Sequence, residues 1–121
     1  MTVDLTEERA RRLLPYLVKA AENHETITYK ELAAKIGVYH RTLNQPLAYI
    51  RDKICAARGL PVITCLVVNL QTRLPGAEWL PLGASSLSDA EDRATFEQYR
   101  ERVFAYGNWQ GLLKDLNLKP V

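Results

Sequence analysis

The chain lacks the features that mark several large classes of protein. It has no stretch close to the roughly 18 consecutive apolar residues that a membrane-spanning helix needs. Its first residues show no basic segment followed by an apolar core, and the sequence contains neither internal repeats nor low-complexity tracts. We therefore expect a cytoplasmic protein with no membrane partner and no repeat architecture.

Cysteine and histidine are scarce, with two of each, namely Cys55, Cys65, His24 and His40. Their spacing matches no zinc-binding pattern, so we expect neither a metal nor a cofactor. The sequence also lacks paired carboxylates in a plausible site, a Ser-His-Asp set and a glycine-rich phosphate loop. An enzyme would depend on Cys65 as a nucleophile, whereas free thiols buried as small hydrophobes are the simpler interpretation. The sequence predicts a protein that is not an enzyme.

The positive charge is concentrated in the middle of the chain. The 121 residues, 47% apolar and 25% charged, have the size and composition of a single domain covering residues 1–121. Residues 27–76 carry seven basic and two acidic side chains, a net +5, while residues 1–26 carry −1 and residues 77–121 carry −2. A basic centre of this kind favours a nucleic-acid partner.

A first helix is predicted from apolar residues that recur on one face, at Ala10, Leu13, Leu14, Leu17, Val18 and Ala21. Thr6 is a plausible N-cap. Pro15 interrupts the pattern, so we expect either a kink or a helix whose regular part begins nearer that residue.

A helix-turn-helix pattern follows. Thr28 and Glu31 form a capping box before a helix over Tyr29–Ile36, and Gly37 ends that helix. A second helix is predicted to start near Asn44, because Pro46 is tolerated in a first turn, and to close at Gly59. Its buried stripe is predicted to be Leu47, Ile50, Ile54 and Ala57.

The next segment is predicted to form a wing. Pro61–Val68 is rich in β-branched residues and predicts a strand, and Asn69–Gly76 is a loop whose Pro75 and Gly76 suit a type II turn. The fold class is therefore mainly α with a small β wing. Residues 1–76 would form a winged helix-turn-helix, and residues 77–121 a loop with a C-terminal helical extension.

The extension is predicted from a second capping box, Ser88 with Glu91, and from helical spacing of Phe96, Tyr99, Val103 and Tyr106 up to Gly107. The tail that begins near Trp109 should dock on the core. Trp79 and Trp109 are expected in the core or facing a partner. A minimal winged helix does not require this extension, which could therefore bind a protein partner.

Three segments together resemble the winged-helix DNA-binding domain of the O6-alkylguanine-DNA alkyltransferases and their alkyltransferase-like relatives. They are ITYKELAAKIG, RTLNQPL and GLPVITCLVV, and the resemblance extends from Ile27 to Gly76. RTLNQPL is similar to the segment that opens the recognition helix of that family. The resemblance implies that Arg41 enters the DNA from the minor groove.

The active site of that family, Pro-Cys-His-Arg, is not kept. Aligned on cysteine, the matching residues are Thr64, Cys65, Leu66 and Val67, and aligned on the paired valines, Thr64 replaces the cysteine. Neither Leu66 nor Val67 can stabilise a thiolate. Alkyl transfer is therefore not expected.

The leading hypothesis is a non-enzymatic protein that binds duplex DNA. Three residues are predicted at the groove and five at the phosphates, respectively Arg41, Asn44 and Gln45, and Lys30, Lys35, Arg51, Lys53 and Arg73. In the simpler interpretation, Asn44 is an N-cap and the basic side chains only cover the surface. The alternative function is a protein-interaction module, such as an immunity protein or an antitoxin, that uses the winged-helix scaffold as a frame.

Overall fold

The computed structural model of the protein describes residues 5–70 and 89–121, with the backbone alone for residues 89–95. Its described part is mainly helical, with one small two-stranded sheet. Five α-helices are described, at Leu5–Glu22 (α1), Tyr29–Ile36 (α2), Asn44–Tyr49 (α3), Asp89–Ala105 (α4) and Trp109–Asp115 (α5). The strands are Ile27–Thr28 (β1) and Val67–Val68 (β2), and two 3-10 turns cover His40–Thr42 and Ile63–Leu66.

Helix α1 lies at the centre of the packing, because it contacts each of the other four helices and the second 3-10 turn. The predicted face is confirmed, since all six of its apolar residues are buried. The helix begins at Leu5 and continues through Pro15, so a regular helix beginning near Pro15 is wrong. Pro15 itself is buried, which adds its ring to the apolar surface of the helix.

Two arginines of α1 bind the ends of neighbouring helices. Arg12 donates from Nη2 to the carbonyl of Ile36 at 3.0 Å, and Arg11 donates from Nη2 to the carbonyl of Leu116 at 2.6 Å. Both carbonyls lie at helix C-termini, where unpaired oxygens concentrate negative potential. These contacts therefore fix α2 and α5 against α1 with favourable electrostatics.

Helix α2 has the predicted bounds and the predicted start. The side chain of Thr28 accepts a hydrogen bond from the backbone N–H of Glu31 at 3.1 Å, and its hydroxyl donates to the Glu31 carboxylate at 3.0 Å. Thr28 also pairs with Val68 in the sheet. One threonine thus ends β1 and caps α2.

Four described helical segments end in the same way, with a residue in the left-handed conformation just after the last turn. Gly37 and Gly59 occupy this position, as predicted, and His24 and Asn117 occupy it after α1 and α5. After α2, the N–H of Val38 bonds to the carbonyl of Ala33 at 3.1 Å, which completes a Schellman motif. These ends set the direction in which the chain leaves each helix.

The predicted second helix departs from regular α geometry. It starts at Asn44, but from Ile50 to Ala56 its hydrogen bonds follow the wider π pattern. Leu47, Ile50 and Ile54 are buried as predicted, whereas Ala57 is exposed. A constant helical period assigns Ala57 to the buried face, and the π segment shifts that face to Cys55.

The predicted strand over Pro61–Val68 is wrong for most of its length. Ile63–Leu66 forms a 3-10 turn, and only Val67 and Val68 pair, in parallel, with Ile27 and Thr28. The run is buried at every position from Ile63 to Val68, so its apolar residues do not distinguish a strand from a buried turn. Since β1 offers two residues for pairing, residues before Val67 satisfy donors locally, as in the bond from Cys65 N–H to the Val62 carbonyl at 3.2 Å.

The C-terminal helices pack on the core, as predicted for the tail. Phe96 and Val103 of α4 are buried, and so are Trp109, Leu112 and Leu113 of α5. Trp109 donates from Nε1 to the carbonyl of Val103 at 2.9 Å, so its role is in the core and does not face a partner. The predicted loop with Arg73 and Trp79, and the capping box at Ser88, lie outside the described residues.

The end of α2 gives a stability prediction. Gly37 has a φ of 70°, so Gly37→Ala should lower the free energy of unfolding by about 1 kcal/mol, because a Cβ disfavours the left-handed conformation. Gly107→Ala is the matched control, since Gly107 lacks a positive φ and has nothing within 4 Å of an added Cβ. The control should be neutral or slightly stabilising. Urea unfolding measures both, and an equal loss in the two variants would contradict the proposed role of Gly37.

Candidate nucleic-acid interface

The segment between α2 and α3 is a short turn fixed at both ends. The backbone N–H of Thr42 bonds to the carbonyl of Tyr39 at 2.9 Å, and the Thr42 hydroxyl donates to the same oxygen at 2.7 Å. Val38 packs against the core before the turn, and Leu43 is fully buried after it. The turn therefore has a defined backbone, from which Tyr39, Arg41 and Thr42 are exposed while His40 is half-buried.

The predicted groove residues lie in this region and are exposed. Arg41 is in the turn, and Asn44 and Gln45 are the first two residues of α3. The N-cap position is occupied by Leu43, which has helical backbone angles and makes no side-chain capping bond. The interpretation of Asn44 as an N-cap is thus wrong, and its amide is available to a ligand.

Three predicted phosphate contacts are also exposed, namely Lys30, Lys35 and Lys53. Lys30 and Lys35 lie on α2, and Lys53 lies on the π segment. Among the residues that the structure describes, no carboxylate lies within 4.0 Å of the charged groups of these lysines or of Arg41. Their positive charge is therefore not neutralised locally by a described acidic side chain.

Arg51 differs from the other predicted phosphate contacts because it already binds a carboxylate. Its Nε and Nη2 donate to the two carboxylate oxygens of Asp52, at 2.6 and 2.8 Å. The hydrogen bond from Arg51 lowers the pKa of Asp52, opposed by partial burial and supported by the charges of Arg51 and Lys53. The pair should stay ionised at neutral pH and contribute little net charge. Arg73 lies outside the described residues.

Sequence reasoning missed Tyr39, which lies at the start of the same turn and has 59% of its surface exposed. Its ring meets that of His40 edge-on, with centroids 4.7 Å apart, and the Arg41 guanidinium lies 6.0 Å from the Tyr39 ring centroid. The sequence did contain a signal, an aromatic residue between Gly37 and the pair His40 and Arg41 that belongs to neither helical stripe. Tyr39 places an aromatic ring beside the predicted groove arginine.

The two cysteines are free and fully buried. Burial raises the pKa of Cys55 to about 11 and that of Cys65 to about 12. A cation does act on Cys65, since the charge of Arg100 lowers its pKa, but burial outweighs that effect. This cation comes from α4, which the neighbours of Cys65 in sequence could not indicate. Both thiols should therefore be protonated at neutral pH.

A second surface feature is a shallow groove where the end of α1 faces α4. It is lined by His24, Glu25, Thr26, Arg100, Glu101 and Phe104. His24 stacks on Phe104 with ring centroids 4.8 Å apart. Because the walls carry two carboxylates and one guanidinium, this groove does not extend the basic surface of α2 and the turn.

Comparisons with protein-family models, with curated proteins and with solved structures gave no match to this chain. Over residues 5–70 and 89–121, no cluster of histidine, cysteine and acidic side chains could hold a metal ion. In the same part of the chain, no helix is long and apolar enough to cross a membrane.

Thiol labelling tests the buried cysteines. At pH 8 the thiolate fraction of each cysteine should be about one in a thousand or less, because burial raises the two pKa values to about 11 and about 12. Only the thiolate reacts with a thiol reagent. We expect Ellman's reagent to modify neither thiol of the native protein over minutes and to modify both promptly in denaturant. Rapid labelling of Cys65 in the folded protein, or transfer of a methyl group to it from O6-methylguanine DNA, would revive the nucleophile hypothesis.

Proposed function

We propose that the protein is a non-enzymatic DNA-binding protein with a winged helix-turn-helix fold, related to the alkyltransferase-like proteins. In this proposal α2, the turn and α3 form the helix-turn-helix, and α3 is the recognition helix. The observation that supports the proposal best is the group of exposed cations around the turn, which lack described carboxylate partners.

The arrangement of elements is compatible with this fold. Helix α1 packs against both α2 and α3, and the first 3-10 turn contacts α2. Strand β1 lies directly before α2, and β2 lies directly before the predicted wing loop, Asn69–Gly76. In a helix-turn-helix the start of the second helix approaches the base edges, which is where Asn44 and Gln45 lie.

The distribution of charge also suits a DNA partner. Lys35 is five positions after Lys30, a rise of about 7.5 Å along α2 at 1.5 Å per residue. Lys35 and Arg41 flank the end of α2, and Lys53 extends the set along the helix that follows Asn44. In this proposal the cations at the end of α2 and on the helix that follows Asn44 contact phosphates that border the groove.

The alternative, a protein-interaction module that binds through the C-terminal extension, has weaker support. The apolar residues of α5, Trp109, Leu112 and Leu113, are buried in the core of this chain. The exposed large apolar side chains among the described residues belong to four separate segments, at Leu5, Tyr39, Leu70 and Val121. Scattered residues of this kind do not by themselves indicate a protein interface.

Salt dependence tests the proposal directly. If about four phosphates are neutralised, log K should fall against log salt with a slope near −3.6, from roughly −0.9 per contact. Fluorescence polarisation with a labelled duplex of about 20 base pairs, at salt concentrations from about 25 to about 200 mM, measures this slope. Affinity for random-sequence duplex should be micromolar or weaker. Absence of binding at the lowest salt, with folded protein, would reject a DNA-binding function.

Replacement of Arg41 tests the predicted contact in the groove. Arg41→Ala should weaken DNA binding by on the order of 1 to 3 kcal/mol, as for a direct arginine contact in a groove. Its exposed position means that the unfolding midpoint should stay unchanged.

The matched control is Lys119→Ala, which removes one exposed positive charge from the C-terminal tail. It should change affinity much less than Arg41→Ala. If the two variants lose affinity equally, Arg41 acts only through net charge and has no specific contact.

A further inference from the structure

We propose that Tyr39, supported by His40 and Arg41, is a stacking platform that gives the site a preference for DNA containing an unpaired base. This inference rests on the proposed function, since it assigns a substrate class to the same surface. It adds a residue that neither the helical pattern nor the charge distribution identified.

Tyr39 is exposed although most of its surface is apolar. With 59% of its surface accessible, it is among the most exposed large apolar side chains that the structure describes. An aromatic ring in this position can offer a flat surface of low conformational entropy to a ligand. A nucleobase on a phosphate backbone is a ligand that fits this site, because its flat face can stack on the ring and its phosphates carry negative charge.

The residues around Tyr39 match that chemistry. His40 meets the tyrosine ring edge-on at an interplanar angle of 63°, which orients the ring from one side. The Arg41 guanidinium lies 6.0 Å from the ring centroid, and Lys35 lies just before Gly37 on α2. A base stacked on Tyr39 would therefore have cations nearby for its flanking phosphates.

The platform is preorganised, so little conformational freedom would be lost on binding. The carbonyl of Tyr39 accepts two hydrogen bonds from Thr42, at 2.9 Å from its N–H and 2.7 Å from its hydroxyl. The N–H of Leu43 bonds to the carbonyl of His40 at 3.3 Å, and the Leu43 side chain is buried. Rigid presentation of this kind increases affinity by reducing the entropic cost of binding.

Whether a base is paired and stacked determines whether Tyr39 can bind it. In an intact duplex each base face is covered by its neighbours, so Tyr39 would find no free face except at an end. A bulged or flipped base exposes its face at low cost, because its pairing is already lost. Stacking on an aromatic ring tolerates any base, so the preference should be for unpaired structure and not for sequence.

The experiment compares two labelled probes, a duplex of about 20 base pairs and the same duplex with one bulged adenine, with identical blunt ends so that any binding at the ends is the same for both. The full chain should bind the bulged probe on the order of tenfold more tightly, as expected for one stacked base. Tyr39→Ala should remove this difference and leave affinity for the intact duplex unchanged. Tyr39→Phe should retain it, because the ring remains.

Two controls separate stacking from charge and from exposed apolar surface in general. Lys35→Ala should weaken binding of both probes by the same factor, as for a phosphate contact. Leu5→Ala, which removes a side chain that is 54% exposed, should affect neither probe. Replacing the bulged adenine by 2-aminopurine adds a direct readout, since stacking on Tyr39 should quench its fluorescence with the wild type and Tyr39→Phe but not with Tyr39→Ala.

Equal affinity of the wild type for the two probes would overturn the stacking platform and leave the DNA-binding proposal standing. The stacking platform is also overturned if Tyr39→Ala weakens binding of both probes equally. Failure to bind either probe at low salt would instead reject the proposed function on which the inference rests. Thermal unfolding of each variant confirms that the changes act on binding, because Tyr39 is exposed and should not alter stability.

Discussion

The burial of α1 is the constraint on which the rest of the structure depends. Its apolar residues meet every other α-helix that the structure describes, so removing this helix would expose the inner faces of all of them. Arg11 and Arg12 add a polar component, because they bind the carbonyl ends of α5 and α2 from the same helix. Helix α2, and with it the start of the turn, is held by apolar packing and by an electrostatic contact at its C-terminus. The position of the candidate interface is thus a consequence of how α1 is buried.

The left-handed helix ends determine what that packing presents to solvent. Gly37 reverses the chain after α2, and Val38 then returns to the core, so the turn that begins at Tyr39 is exposed. At the end of α1 the same geometry is adopted by His24, whose ring stacks on Phe104 of α4. A non-glycine residue in this conformation costs free energy, and the stacking contact offsets part of that cost. The same helix-ending motif therefore exposes a surface in one place and joins two helices in another.

Features governed by local chemistry could be predicted from the sequence, and features governed by tertiary contacts could not. The face of α1, the capping by Thr28 and the glycine after α2 depend on neighbours within a few residues, and all were predicted correctly. The run from Ile63 to Val68 is buried throughout, so its residue types could not show that only two residues find a strand partner. The π segment moves Cys55 inward and Ala57 outward, which a constant helical period cannot anticipate. At the candidate site, Arg41 and Asn44 were predicted from their place around the start of the second helix, whereas the exposure of Tyr39 depends on how the residues on both sides of it are anchored.

The count of charges in the central segment overstates the charge available to a ligand. Arg51 and Asp52 satisfy each other through two hydrogen bonds, so neither contributes much to the outer field. What remains is carried by exposed side chains with no described carboxylate within 4.0 Å of their charged groups, and the fold does not need those side chains for its own packing. The turn residue Arg41 is a clear case, because main-chain hydrogen bonds and the burial of Leu43 already hold the backbone on which it stands. Since such a residue contributes little to stability, its replacement can alter binding without unfolding the protein. The turn between α2 and α3 is therefore the place where single substitutions can test the proposed function without unfolding the protein.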